Sequence, residues 1–139
     1  MNSPAPTVDG LTKAFWDAAE RHELAIQRCE DCRHYVHFPS AACPKCGSGE
    51  LAFERVSGEG TVYSFVVTHH TAIPGFASCV PYVVAWIELV EQPGLRVVSD
   101  LAGCDPTQVA IGAPVRVWFD ERDDGVTIPR FRLEQVDDR

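Results

Sequence analysis

The chain has 139 residues, 45% hydrophobic and 23% charged, enough to bury one modest core or one small domain beside a separately stapled module. Twelve Lys and Arg stand against twenty Asp and Glu, a formal charge of −8, with six basic against eight acidic residues up to Arg55 and six against twelve after it. Such a field repels phosphate backbones and argues against general nucleic-acid binding. No window holds the roughly eighteen uninterrupted apolar residues of a membrane span, and Met1 to Gly10 lacks the basic-then-apolar order of an export signal. The cytoplasm is therefore the expected compartment.

Residues 1–10 hold two prolines with Val8 as the one aliphatic anchor, so a flexible tail is expected there. Residues 11–23 change pattern. Thr12 is a plausible N-cap, and Leu11, Phe15, Ala18, Ala19 and His22 recur at helical spacing with Trp16 beside them. The aromatic pair either packs on the chain's own core or faces a partner. Residues 24–56 carry four of the six cysteines, with Ile26 to Arg28 and Tyr35 to Phe38 as short strand arms. From residue 57 to 139 the pattern is β. Thr61 to His70, Tyr82 to Glu91, Leu95 to Leu101, Pro114 to Asp120 and Ile128 to Val136 give five strands, with a hairpin turn at Gln92-Pro93-Gly94. Asp105 to Val109 offers at most a helical turn. The expected class is mainly β: an N-terminal helix, a rubredoxin-like zinc ribbon and a five-stranded OB-fold barrel.

The cysteines carry the clearest chemistry. Cys29 and Cys32 form one C-x2-C pair, Cys43 and Cys46 another, and ten residues separate them. Each such turn presents two sulfurs to one side, and the excursion between them lets the pairs face each other and close a tetrahedral site. Four soft sulfurs suit zinc or iron, and zinc is the more frequent structural choice. The second knuckle, Cys43-Pro44-Lys45-Cys46-Gly47, is a rubredoxin-like turn, whereas the first, Cys29-Glu30-Asp31-Cys32-Arg33, lacks the corresponding glycine. A closed site leaves no open coordination position, so the metal's expected role is structural. Cys79 and Cys104 read as buried or loop thiols.

The histidines are less informative: His34 and His37 read as strand-arm residues, since four cysteines already complete a ligand set. His69 and His70 lead into Thr71 to Pro81, which holds Ile73, Phe76 and Val80 and no charge. An uncharged loop is expected to fold over the barrel mouth or to pack against a ligand or second protein. His70 is placed to hydrogen-bond a phosphate or carbonyl. No phosphate loop, G-x-S-x-G, H-E-x-x-H or nucleophile with a base is present, and Asp120 to Asp124 reads as a solvated hairpin tip.

The order of parts is recognisable from Phe15-Trp16, the two knuckles, Gly60-Thr61-Val62-Tyr63-Ser64-Phe65, Pro81-Tyr82-Val83-Val84-Ala85 and Ile111-Gly112-Ala113-Pro114-Val115-Arg116-Val117. From Leu11 to Val136 the chain resembles the rubredoxin-like zinc ribbon plus OB-fold family, a domain of unknown function associated with acyl-CoA metabolism. The resemblance implies a non-catalytic accessory subunit beside a thiolase-like enzyme: a thiolase, a hydroxymethylglutaryl-CoA synthase or a steroid side-chain aldolase. It further implies a surface for a CoA thioester. Phosphate contacts would draw on the basic set Arg21, Arg28, Arg33, Lys45 and Arg55, and the residues assigned to that ligand are Arg28, Arg33, Lys45, His70 and Phe76.

Two other readings compete. A nucleic-acid-binding OB module would use Tyr82, Trp86, Glu88, Arg96 and Asp100 on its exposed strands, a set too acidic for a phosphate track. An electron carrier would hold iron at the four cysteines and be coloured.

Overall fold

The computed structural model describes residues 10–69, 82–101 and 106–134, so the expectations for residues 1–9, His70, Phe76, Cys79 and Cys104 lie outside the described residues. Helix α1 spans Lys13–Glu20 and buries Ala18 and Ala19. Thr12 occupies the N-cap position without a side-chain cap bond. The helix ends by a paired backbone closure: the His22 N–H donates to the Ala19 carbonyl and the Glu23 N–H to the Ala18 carbonyl, both at 2.9 Å. That closure puts His22 at φ 58°, a conformation costly for a residue with a Cβ. Contacts to a distant hairpin offset the cost. The imidazole stacks on Phe119 with centroids 5.2 Å apart, and its Nε2 lies 2.6 Å from Glu121 Oε1.

Three short strands follow as the first sheet: β1 (Leu24–Cys29), β2 (Tyr35–Val36) and β3 (Leu51–Val56), in the order β2-β1-β3. The second sheet contains β4 (Glu59–Thr68), β5 (Tyr82–Leu89), β6 (Arg96–Asp100), β7 (Pro114–Glu121) and β8 (Thr127–Leu133), in the order β6-β5-β4-β7-β8. A single 3-10 turn at Pro106–Gln108 occupies the place of the expected helical turn.

Strand β5 shows why the second sheet has two different faces. Val83, Ala85, Ile87 and Leu89 point inward and are buried, while Val84, Trp86 and Glu88 alternate outward. The core they enter is shared: Leu24, Ile26, Tyr35 and Val56 of the first sheet join Val62, Val115 and Phe131 of the second in one apolar cluster. Gly60 lets β4 and β5 approach closely, since a Cβ there would sit 2.5 Å from the Glu88 carbonyl oxygen and 2.9 Å from Ile87 Cγ2.

The expected closed barrel is not formed. The second sheet is open, with β6 and β8 at its two edges. Those edges meet through one isolated parallel bridge, Leu101 to Phe131, in place of a ladder. Side chains span the remaining gap. Ser99 Oγ accepts the Phe131 N–H at 3.0 Å, and the nearly buried Arg130 guanidinium reaches Asp100 at 2.6 Å and Asp120 at 3.0 Å. The two edges are thus joined by one bridge and by side chains, and the sheet is curled but unclosed.

Candidate metal centre

The four sulfurs of Cys29, Cys32, Cys43 and Cys46 lie within 4.8 Å of one another. Two contacts run between knuckles, Cys29 to Cys46 at 3.5 Å and Cys32 to Cys43 at 3.6 Å. A tetrahedron with metal–sulfur bonds of about 2.3 Å has edges of about 3.8 Å, so the donor set fits one zinc ion with no open position.

Each knuckle is built by the same local bonds. The Arg33 N–H donates to the Cys29 carbonyl at 2.9 Å, and the Gly47 N–H to the Cys43 carbonyl at 2.8 Å. Amides also point at sulfur, Cys32 N–H to Cys29 Sγ at 3.5 Å and Lys45 N–H to Cys43 Sγ at 3.4 Å. Gly47 takes φ 79° and Arg33 takes φ 67° at the matching position. The first knuckle thus adopts the glycine conformation without glycine. Arg33 is held there by its partners: its guanidinium reaches Glu54 at 2.6 Å, and its carbonyl accepts from Arg28 Nε at 2.7 Å. Ser48 Oγ donates to the Asp31 carboxylate and ties the knuckles together.

The thiols have unequal acidity without a metal. The Cys32 backbone N–H, against the opposing effect of burial, brings Cys29 down to about 6. Burial raises Cys43, yet the Cys46 and Lys45 backbone amides with the Cys32 and Cys46 thiols outweigh it and lower this group too. For Cys46 the Ser48 amide pulls down, while Cys29, burial, Cys32 and Cys43 together push the thiol up to about 12. The amides stabilise some thiolate, but four negative sulfurs this close require a cation.

The other assigned residues fall into two groups. Arg28 lies over the Tyr35 ring at 4.3 Å and reaches Glu54 at 3.0 Å, so Arg28 and Arg33 share one carboxylate. Those two guanidiniums hold the Glu54 carboxyl below its ordinary value. Lys45 is exposed and has no ion-pair partner among the described residues. His34 and His37 are not brought into the sulfur cluster. His37 instead packs between Phe15 and Phe38, with ring centroids 6.3 and 4.6 Å away.

Two glutamines were not readable as site residues. The Gln27 amide pairs with both backbone groups of Ser40, at 2.9 and 2.8 Å, and fixes the segment entering the second knuckle. The Gln92 amide, in the turn after β5, pairs likewise with Tyr35, accepting its N–H at 2.9 Å and donating to its carbonyl at 3.2 Å. Each side-chain amide copies a backbone β-pair, which leaves no pattern in the sequence. A cleft of about 470 Å³ opens between the ribbon and this turn, lined by His34, His37, Phe38, Pro44, Gln92 and Pro93 among others.

Comparison with known proteins matches residues 16–52 to the rubredoxin-like zinc ribbon domain of ChsH2 and residues 53–120 to the C-terminal OB-fold domain of ChsH2. A DUF35 domain-containing scaffold protein of Methanocaldococcus jannaschii is 36% identical over 134 residues, covering 91% of this chain and 92% of that protein. The chain belongs to the DUF35 family of zinc ribbon plus OB-fold proteins. A solved DUF35 relative, in a structure described as the Ltp2-ChsH2(DUF35) aldolase, superposes with a TM-score of 0.82 at 39% identity, covering 93% of this chain and 98% of that one. The 3-oxo-4,17-pregnadiene-20-carboxyl-CoA hydratase alpha subunit of Mycobacterium tuberculosis is 42% identical over 119 residues, 86% of this chain. A probable enoyl-CoA hydratase alpha subunit of Thermomonospora curvata is 42% identical over 130 residues, 93% of this chain. The chain spans 39% of the length of the Thermomonospora subunit and 36% of the mycobacterial one. Among the described residues no helix is long and apolar enough to cross a membrane.

Proposed function

We propose that this DUF35 chain is a non-catalytic accessory subunit that binds an acyl-CoA and a thiolase-like partner, and completes the partner's site for carbon–carbon bond chemistry in lipid or steroid metabolism. The observation that carries this reading is the saturated sulfur centre. Its four ligands leave a zinc ion no position for water or a carbonyl, so the metal shapes the chain and the reacting groups come from elsewhere. The relatives named as hydratase alpha subunits and as part of an aldolase support the acyl-CoA chemistry.

In this reading residues 24–56 form the metal module and residues 57–139 the OB-type module. Arg28, Arg33, Lys45, His70 and Phe76 take the CoA. Lys45 is free to meet a phosphate directly, whereas Arg28 and Arg33 would exchange part of their contact with Glu54 for it. Sulfurs gathered as metal ligands and not joined in disulfides suit the reducing cytoplasm.

The test is a pull-down of the tagged, zinc-loaded chain from its own host, with mass spectrometry and acyl-CoA turnover assays on the recovered complex. A thiolase-like chain is expected to copurify and to need this chain for activity. Turnover of an acyl-CoA by this chain alone, or a partner fully active without it, refutes the reading.

A further inference from the structure

Of the eight large apolar side chains exposed among the described residues, five gather on one surface: Phe38, Tyr63, Val66, Trp86 and Val98. Register explains the grouping. Trp86 pairs with Ser64 on one side and Val98 on the other, and the next row sets Val66 opposite Val84. All of these lie on the face opposite the buried Ala85 and Ile87. A β-bulge between Val62 and Ser64 adds Tyr63 to the outer side, where Arg96 stacks 3.6 Å from its ring centroid. Phe38 comes from the ribbon, not the sheet, and meets Trp86 edge-on at 6.4 Å. Phe38 is 63%, Val66 62% and Trp86 41% exposed, too much apolar surface in one place to be the scattered exposure of an ordinary surface.

The charges on this face select its occupant. Arg96 pairs with Glu88 at 3.4 Å, and Asp100 pairs with Arg130 at 2.6 Å. The face is thus a self-neutralised apolar island on a chain of net charge −8. OB-type sheets commonly offer this side to oligonucleotides, but here Arg96, the cation beside these apolar side chains among the described residues, is already stacked on Tyr63 and paired with Glu88, which leaves no phosphate track. A second copy would bring another −8 against the same surroundings. An apolar, uncharged patch ringed by basic residues on a different protein complements it in both respects.

From this geometry we infer that the face formed by Phe38, Tyr63, Val66, Trp86 and Val98 is the docking surface for such a patch on the thiolase-like subunit, an inference that rests on the functional reading above. It also gives the silent metal a purpose: Phe38 reaches Trp86 only while the ribbon is folded, so the sulfur centre sets one of the five side chains of the docking surface.

The experiment uses the thiolase-like chain recovered in the pull-down as the probe and measures its affinity for the full, zinc-loaded chain. Trp86→Asp and Phe38→Ser are each expected to weaken binding by at least about thirtyfold, as for a central aromatic anchor. Asp123→Ala, at the exposed turn between β7 and β8 and outside this face, is expected to change it by less than about threefold. Zinc content and circular dichroism establish that each variant is folded, and Phe38, in a loop beside the sheet, serves if Trp86→Asp is not. Binding that survives both substitutions overturns the docking face and leaves the functional reading standing. Failure to recover any thiolase-like chain overturns both. A dimer of this chain, or a salt-sensitive shift of single-stranded DNA, that is lost in Trp86→Asp also overturns the proposal by naming a different occupant.

Discussion

Between Cys29 and Glu50 the buried apolar side chains other than sulfur ligands are Tyr35 and Val36, whereas strand β5 alone buries Val83, Ala85, Ile87 and Leu89. The two regions are ordered by different physics. The sheet is held by ladders and by a core that removes large apolar area from water, a stabilisation spread over many residues. The knuckle end has almost no such area. Its order comes from turns that point two sulfurs each at a common centre, so it depends on one ion. The base of the ribbon belongs with the sheet, because Leu24, Ile26 and Val56 enter the common core.

The sharpest way to break this contrast is to remove the metal. Zinc binding in small sulfur modules is worth on the order of 10–16 kcal/mol, far above any other single contribution here. Chelation, or Cys43→Ser, is expected to expose the knuckle amides, including Cys43 N–H to Ser48 and Gly47 N–H to Cys43, to rapid hydrogen exchange. The amides of β5 should remain protected. If β5 exchanges in step with the knuckles, the two regions form one cooperative unit and the contrast is wrong.

How far the sequence revealed each region follows from the same difference. The sulfur spacing is a local pattern, so the ligand set was readable directly. Alternation in Tyr82 to Leu89 gave both the strand and its buried face, and the five strands of the second sheet emerged within a few residues of their ends. Barrel closure has no such local pattern: the side-chain contacts that join the β6 and β8 edges run from Ser99 to Phe131 and from Arg130 to Asp100, about thirty residues apart and without a periodic signature. Strand β3 went unread as well: in Leu51-Ala52-Phe53-Glu54-Arg55-Val56 the inward and outward positions hardly differ in burial, and no clean alternation marks it. With β3 unread, the meeting of Glu54 with Arg28 and Arg33 was invisible, and so was the reason Arg33 can occupy a glycine's place.

A smaller effect separates the regions by pH. Burial among Phe15 and Phe38 holds His37 down to about 4, from an ordinary value of 6.5. The unfolded chain then binds a proton that the folded chain refuses between those two values. The stability linked to His37 is therefore complete above about 6.5 and is lost as the pH falls toward 4, by on the order of 1–3 kcal/mol. Thiol protonation also destabilises the metal end in acid, so the informative quantity is a difference. Urea unfolding of His37→Phe beside wild type should show a shallower loss in that window, and parallel curves would mean that the imidazole is not shielded from water.

The smallest expected effect tests the join between the two regions. Gln92 belongs to the turn between β5 and β6, yet its amide completes the pairing of Tyr35 on the outer edge of the ribbon. Gln92→Ala removes both bonds and leaves the Tyr35 N–H and carbonyl to whatever water enters the cleft, a cost of about 1–2 kcal/mol. Gln92→Glu should not rescue it, because a carboxylate still accepts the N–H but faces the Tyr35 carbonyl with no proton to donate. Zinc affinity is expected to stay unchanged in both, since no ligand or knuckle bond is touched. The readouts are hydrogen exchange at Tyr35 and the midpoint of urea unfolding. Faster exchange with an unchanged zinc affinity would place the amide at the join, while a matching loss of zinc would mean that the turn supports the knuckles themselves and that the metal end is not self-sufficient.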